Sequence, residues 1–285
     1  MPQQGTSKIR VIDTHQFAVP ARGAAYLIEA PIPVLVETGT ACAAALLLEA
    51  VRQHELQLVF VTHIHLDHAG SAGLLLEHTP EVQLGVHVRG APHLERPERL
   101  IEGVRAASPD VFPLYGIPQP IDSDRMLRLE GGEQFDLGDG FLLEAIATPG
   151  HAPHHLCYFE HRTKTLFTGD AVGNWRLPVN VPLTVPPRFD LELGLASIQR
   201  LKQYNPRRLA FTHFGISDRA MEELDRYEQE LLDWFEKLRH LRGSLEDEAV
   251  IAQILAEPYN KQLSTLDQSL VEMCIRGGLL SLRAV

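Results

Sequence analysis

Three histidines and one aspartate fall within six residues of "THIHLDHAG": His63, His65, Asp67 and His68. Neutral imidazole is the commonest side-chain ligand for zinc and related ions, and carboxylate follows it. His63 and His65 stand two apart and point the same way in extended chain, whereas Asp67 and His68 come where the backbone must turn. Four ligating groups in so short a stretch cannot easily reach one ion from one side. Two adjacent ions, each taking part of the cluster, fit better. A solvated surface loop would explain any one of these histidines, but not this composition at a strand end.

A metal centre needs further ligands, and the chain offers them at matching places. His151 in "TPGHAPHH", Asp170 in "LFTGDAVG" and His213 in "LAFTHFG" each follow an apolar β-like run and precede small residues or a loop. Strand ends along one edge of a sandwich can converge in space. His154 and His155 share the loop of His151 and are candidates for orienting a ligand or touching substrate. Thr62 could support the cluster through its hydroxyl. Trp175, Arg176 and Arg188 lie in or beside a proline-rich stretch and read either as a substrate wall or as a stiffened loop. His87 and His93 read as solvated or structural.

These residues need strands to present them. "KIRVIDTH", "AAYLIEA", "PVLVETG" and "LQLVFVT" read as strands, with a helix over "ACAAALLLEAVRQHEL" between the last two. "AGSAGLLLEHTP" reads as a helix start, "VQLGVHV" as a strand and "PHLERPERLIEGVRAA" as one amphipathic helix; Pro109, Pro113, Pro118 and Pro120 make the next connection a loop. A second block follows: two strands around a Gly-Asp-Gly turn, "HLCYFEH", "KTLFTGD", a helix over "LELGLASIQRLKQY" with Asp190 as N-cap, and a last strand "RRLAFTHFG". From Ser217 onward the pattern is helical, with Leu224, Leu231, Trp234 and Leu238 on one face and a break at "EPYN". Strands then helix, twice, predict two β-rich layers with helices outside. The tail could cap the site, dimerise the protein or cover the sandwich, and core packing accounts for its apolar face most simply.

Bulk properties narrow the function classes. A formal net charge of −11, with no long Lys/Arg block, disfavours nucleic acid, whose affinity rests on phosphate neutralisation. Cys42, Cys157 and Cys274 form no CxxC and are odd in number, so reduced cysteines are expected. "MPQQGTSKIRVIDTH" lacks the apolar run of a signal peptide, and no apolar run approaches the roughly 18 residues of a membrane span. A cytoplasmic location with no membrane partner is the expectation.

The ordered set His-x-His-x-Asp-His, a later His, a Gly-Asp aspartate and a final His resembles the metallo-β-lactamase-fold superfamily over roughly residues 8–215. The resemblance implies an α/β fold, the αβ/βα four-layer sandwich, with a catalytic domain over 1–215 and a C-terminal helical appendage over 216–285. It implies one ion on His63, His65 and His151, a second on Asp67, His68 and His213, and Asp170 bridging them. Two divalent ions are expected, zinc first, with iron or manganese as alternatives. The nucleophile would be a metal-bridging hydroxide from a water whose pKa falls from about 15.7 toward neutrality. Asp67 would accept a proton as it attacks. The chain has no G-x-S-x-G elbow.

Departures from individual branches are informative. Flavin-diiron oxygen reductases carry Glu where this chain has His65, and need a flavodoxin domain. True β-lactamases are exported and lack the bridging aspartate. Persulfide dioxygenases bind a single iron, against which His213 argues. Glyoxalase II shares the seven ligands and a helical C-terminal region, but its Gly-Cys-Gly-Arg segment is replaced here by "GDAVGNWRLP". Quorum-quenching lactonases share "TPGH" but use a tyrosine with no clear counterpart. The tRNA 3′-processing nucleases carry an RNA-binding arm that is not evident here. The chain looks most like stand-alone bacterial hydrolases of this fold. The expected activity is hydrolysis of a small ester, thioester or lactone; a phosphodiesterase, or an iron-dependent oxygenase or oxygen reductase, is the alternative on the same residues. The expected partner is a small-molecule substrate, and a homo-oligomer is left open.

Overall fold

The computed structural model describes residues 9–174, 181–185 and 189–283. Trp175, Arg176 and Arg188 lie outside the described residues. The first sheet holds β1 (Ile9–Asp13), β2 (Ala24–Ile28), β3 (Val34–Val36), β4 (Leu58–Phe60), β5 (Gln83–His87) and β6 (Met126–Leu129), side by side in chain order. The second holds β7 (Gln134–Gly138), β8 (Phe141–Ala147), β9 (Leu156–Glu160), β10 (Thr165–Phe167), β11 (Arg208–Ala210) and β12 (Ile216–Ser217), again in order. Both are mixed: hairpin neighbours run antiparallel, while β3 to β6, and β10 with β11, run parallel. The parallel pairs need crossovers. Helices α1 (Ala44–Val51) and α2 (Ala72–Glu77) supply them in the first half, followed by α3 (Ala91–Glu95) and α4 (Glu98–Ala107); α5 (Leu191–Gln203) does so in the second. Helices α6 (Ala220–Arg242), α7 (Asp247–Leu255) and α8 (Thr265–Arg283) complete the chain.

Side-chain alternation sorts each strand between two cores. Tyr26 and Ile28 of β2 enter the core between the sheets, with Phe60, Leu143, Tyr158 and Phe167. Ala25 and Leu27 point the other way, against Leu47 of α1 and Leu75 of α2. On β9, Tyr158 faces the first sheet while Cys157 and Phe159 face Ile198 of α5 and Leu231 of α6. Both faces of both sheets are covered, which is why the central strands read as continuous apolar runs rather than alternating ones. The result is the expected four-layer αβ/βα sandwich. Leu224, Leu231, Trp234 and Leu238 of α6 share the outer core of the second sheet with Val271 and Ile275 of α8. Among the described residues no helix is long and apolar enough to cross a membrane.

Three local readings need correction. The expected helix over 92–107 is two helices, because Arg96 leaves helical geometry ahead of Pro97, which caps α4. β6 pairs parallel with β5 although "MLRL" gave no separate strand signal; four residues suffice once a formed edge is beside them. β12 precedes the helical tail and pairs with β11 as a two-residue hairpin arm. Of the cysteines, Cys157 and Cys274 are buried and Cys42 is exposed, all three free.

Candidate metal centre

The sheets are tied together at one end, where the candidate ligands leave their strands. Leu156 N donates to Thr62 O at 2.8 Å, and Ala24 N to Thr212 O at 2.7 Å, so backbone bonds cross from one sheet to the other. The Tyr158 hydroxyl donates to Val61 O at 2.9 Å, and Tyr26 lies 2.9 Å from Gly215 O. These bonds fix the segments after β4 and β11 against each other. After Thr62 the chain makes one helical turn, in which His68 N and Ala69 N both donate to His65 O at 2.9 Å. Gly169 is required beside Asp170: its φ is +49°, and a Cβ there would sit 2.5 Å from His155 Nε2 and 2.6 Å from Thr62 Oγ1.

All seven expected residues converge. His65 Nδ1 lies 2.8 Å from His63 Nε2 and 3.0 Å from His151 Nε2. Asp170 Oδ2 faces this group, 3.3 Å from His151 Nε2 and 3.9 Å from His63 Nε2. Its other oxygen, Oδ1, is 3.3 Å from both His68 Nε2 and His213 Nε2. Asp67 Oδ2 completes the second group at 3.8 and 3.9 Å from the same nitrogens. Within each group the ligand atoms lie within 4.8 Å of one another, a spacing that could hold an ion.

The donor set fits divalent cations. Three imidazole nitrogens meet in the first group, and their lone pairs repel unless a proton or a cation lies among them. Burial, and the charge of neighbouring histidines, hold His63 and His65 well below the usual imidazole pKa. Burial likewise lowers His151, although Asp170 and the Leu183 carbonyl oppose it. Neutral imidazole is the ligating form, so a cation suits this group better than protons do. His68 Nε2 and Asp170 Oδ1 are buried with no hydrogen-bond partner, an arrangement that is costly unless something bonds to them. Burial raises Asp170, but His68, His213 and His151 overcome it and keep the carboxyl well below its usual range.

Several of these side chains are held from behind. The His151 Nδ1 proton faces Leu183 O at 2.9 Å, which leaves Nε2 for the centre. His63 Nδ1 lies 3.1 Å from the Thr62 hydroxyl, which donates to Glu37 Oε1, so Thr62 does support the cluster. Glu37 also accepts from His68 Nδ1 and from the Thr212 hydroxyl, each at 3.1 Å. A carboxylate behind a ligating imidazole fixes its tautomer and raises its basicity. Sequence reasoning missed Glu37. Its signal was an acid at the end of the apolar run "PVLVETG", where it is buried at 1% exposure and takes φ +73°.

The secondary candidates separate. His155 Nε2 accepts from Asp170 N at 3.1 Å and its Nδ1 faces the Thr148 hydroxyl at 2.8 Å, so it seats Asp170 from behind. His154 lines the cavity over the centre, and burial followed by His151 lowers its pKa to about 3. His87 accepts from Arg89 N at 3.0 Å, a structural role. Gln16, unremarked in the sequence, donates to Asp67 Oδ2 at 3.0 Å.

A cavity of about 420 Å³ opens over the centre, within the usual range for small-molecule sites. Its inner end includes His65, Asp67, His151, Asp170 and His213; Gln16, Arg22 and Tyr115 flank them. Burial, followed by the Asp67 and Asp170 carboxylates, raises the Tyr115 pKa well above the usual value, so its hydroxyl stays a donor.

The fold agrees with the comparisons. The family model described as "Metallo-beta-lactamase superfamily" matches residues 21–213, and the chain belongs to that superfamily. The chain is 32% identical over 174 residues to the metallo-beta-lactamase fold-containing protein ST1585 of Sulfurisphaera tokodaii, covering 59% of this chain and 65% of the relative. It is 35% identical over 147 residues to the hydroxyacylglutathione hydrolase GloC of Haemophilus influenzae, covering 50% and 61%. Each match thus spans under two thirds of the relative's length. The crystal structure of ST1585 superposes with a TM-score of 0.72 at 23% identity, over 98% of this chain and 100% of that one.

Proposed function

We propose that the chain is a dinuclear metal-dependent hydrolase of a small ester, thioester or lactone, with one ion on His63, His65 and His151, the other on Asp67, His68 and His213, and Asp170 shared. The observation that carries this is the division of Asp170: one carboxylate oxygen faces each nitrogen group. The Haemophilus relative is named for hydrolysis of a glutathione thioester, which supports the reaction class. Glutathione itself is not carried over, because the Gly-Cys-Gly-Arg segment is replaced.

Bound at these residues, two divalent ions, zinc first and iron or manganese otherwise, would supply Lewis acidity toward a substrate carbonyl and a water. The chain's own residues do the rest. Asp67, held by the Gln16 amide, takes the proton that the attacking water loses and returns it to the leaving alcohol or thiol. The acyl–oxygen or acyl–sulfur bond breaks as the new bond to the water oxygen forms. Glu37, Thr62 and His155 keep the ligands in place through the cycle.

The test is a chelator-stripped sample assayed on p-nitrophenyl acetate, a thioester, a lactone and bis-p-nitrophenyl phosphate, before and after zinc is restored. Ester, thioester or lactone turnover that follows zinc is expected. Turnover indifferent to metal, or confined to the phosphodiester, contradicts the reading, and two irons per chain with oxygen uptake would replace it with redox chemistry.

A further inference from the structure

The outer half of the cavity is built unlike the inner half. Leu100, Gly103, Val104 and Ala107 of α4 line it from one side, and Leu270, Met273 and Cys274 of α8 from another. Each set follows i, i+3, i+4 spacing, so each is one face of its helix. An amphipathic surface helix normally buries its apolar stripe in the core. No residue of α4 is fully buried, and part of its apolar stripe faces the cavity instead. The Ser108 hydroxyl reaches Met273 Sδ at 3.4 Å and ties the end of α4 to α8. Arg22, buried at 5% exposure, pairs with Asp267 on the first turn of α8 and seats that helix beside the metal centre. Leu66, beside the ligand Asp67, packs in one small cluster with Phe17 and Tyr115, against which Val104 and Leu270 also rest.

Charge in the cavity is confined to its two ends. Among the described lining residues the ionisable groups are those of the centre, His154 beside it, Tyr115, the buried thiol of Cys274, Arg22 already paired with Asp267, and His93 and Arg99 at the exposed rim. Between α4 and α8 a polar or charged tail would meet few polar groups, the Ser108 hydroxyl and the Cys274 thiol, whereas a hydrocarbon chain would leave water for a mainly apolar wall. Gly103 leaves the rim open, since a Cβ built there meets nothing within 4 Å.

From this we propose that the α4–α8 wall is the subsite for an unbranched apolar acyl chain, and that Gly103, Val104, Leu270 and Met273 set the length it accepts. The substrate class is therefore a medium-chain acyl ester or thioester, its polar leaving group passing out by His93 and Arg99. This rests on the hydrolase reading above for its chemistry, but not for its binding. Metal-loaded protein is titrated calorimetrically with straight-chain carboxylates from acetate to octanoate, the products such substrates would leave. Kd is expected to fall about four-fold per added methylene from butyrate onward, the equivalent of about 0.8 kcal/mol per buried CH2. Gly103→Phe is expected to flatten the series, and Met273→Ala to extend it to longer chains. A Kd independent of chain length in the unmutated protein, or a series that neither substitution alters, overturns the proposal. Hydrolysis of p-nitrophenyl acetate by the same samples reads the other claim separately. A flat series with turnover keeps the hydrolase and rejects the acyl subsite; a steep series without turnover of any ester or thioester does the reverse.

Discussion

The two ends of the cavity follow opposite rules. At the inner end, side chains arrive from strand ends, are buried apart from the half-buried His65 and Asp67, and several are pinned by a second polar contact: Thr62 and Glu37 behind His63 and His68, Leu183 O behind His151, His155 behind Asp170. At the outer end, side chains arrive from two helices, most are half-buried or exposed, and between the Arg99 rim and the Ser108 hydroxyl they present mainly carbon and sulfur. The inner end is specified atom by atom, because metal ligation fails if an imidazole turns. The outer end is specified only by shape, because dispersion and burial have no direction. On the proposed reading, reaction chemistry and substrate choice are held in different elements, and each is expected to change with little effect on the other.

Substitutions can break that separation or sharpen it. Asp170→Ala removes the carboxylate that both nitrogen groups share, and is expected to cost at least about 1000-fold in kcat/KM, about 4 kcal/mol, with loss of bound metal by elemental analysis. Arg22→Ala leaves Asp267 buried and unpaired; it is expected to destabilise the fold by about 3 kcal/mol and lower Tm by roughly 5–10 °C in calorimetry, loosening the wall rather than the ligands. Glu37→Gln keeps the shape behind His68 but weakens the acceptor, and is expected to reduce metal affinity by roughly 10–100-fold in a competition titration, without altering the preference among chain lengths. Gly103→Ala is the smallest change: at an exposed helix position with open space around it, it is expected to raise stability by up to about 1 kcal/mol and leave metal content unchanged.

The same contrast governs what could be read from the sequence. His63, His65, Asp67, His68, His151, Asp170 and His213 were legible because each is a scarce residue type placed just after an apolar strand. Their order carried the resemblance to the superfamily, while the repeated strands-then-helix pattern predicted the two sheets. Glu37 was not legible: an acid before "TG" at a strand end looks like an ordinary surface turn until the fold encloses it against Thr62, Thr212 and His68. The α4–α8 wall was not legible either, since Leu270 and Met273 on an amphipathic helix look the same whether they face a core or a cavity. Local detail failed where tertiary context decides: β6 forms on an edge that β5 supplies, and the helix around Pro97 divides because proline restricts the residue before it.

The central claim is that Asp170 joins two nitrogen groups into one two-ion centre. It is tested most directly by titrating metal-free protein with zinc and counting bound ions while following hydrolysis of a p-nitrophenyl ester. Two ions per chain are expected, with activity rising as the second binds, and at most one weakly held ion and no rise in Asp170→Ala. Full activity at one ion per chain, or unchanged stoichiometry and rate in Asp170→Ala, would contradict it.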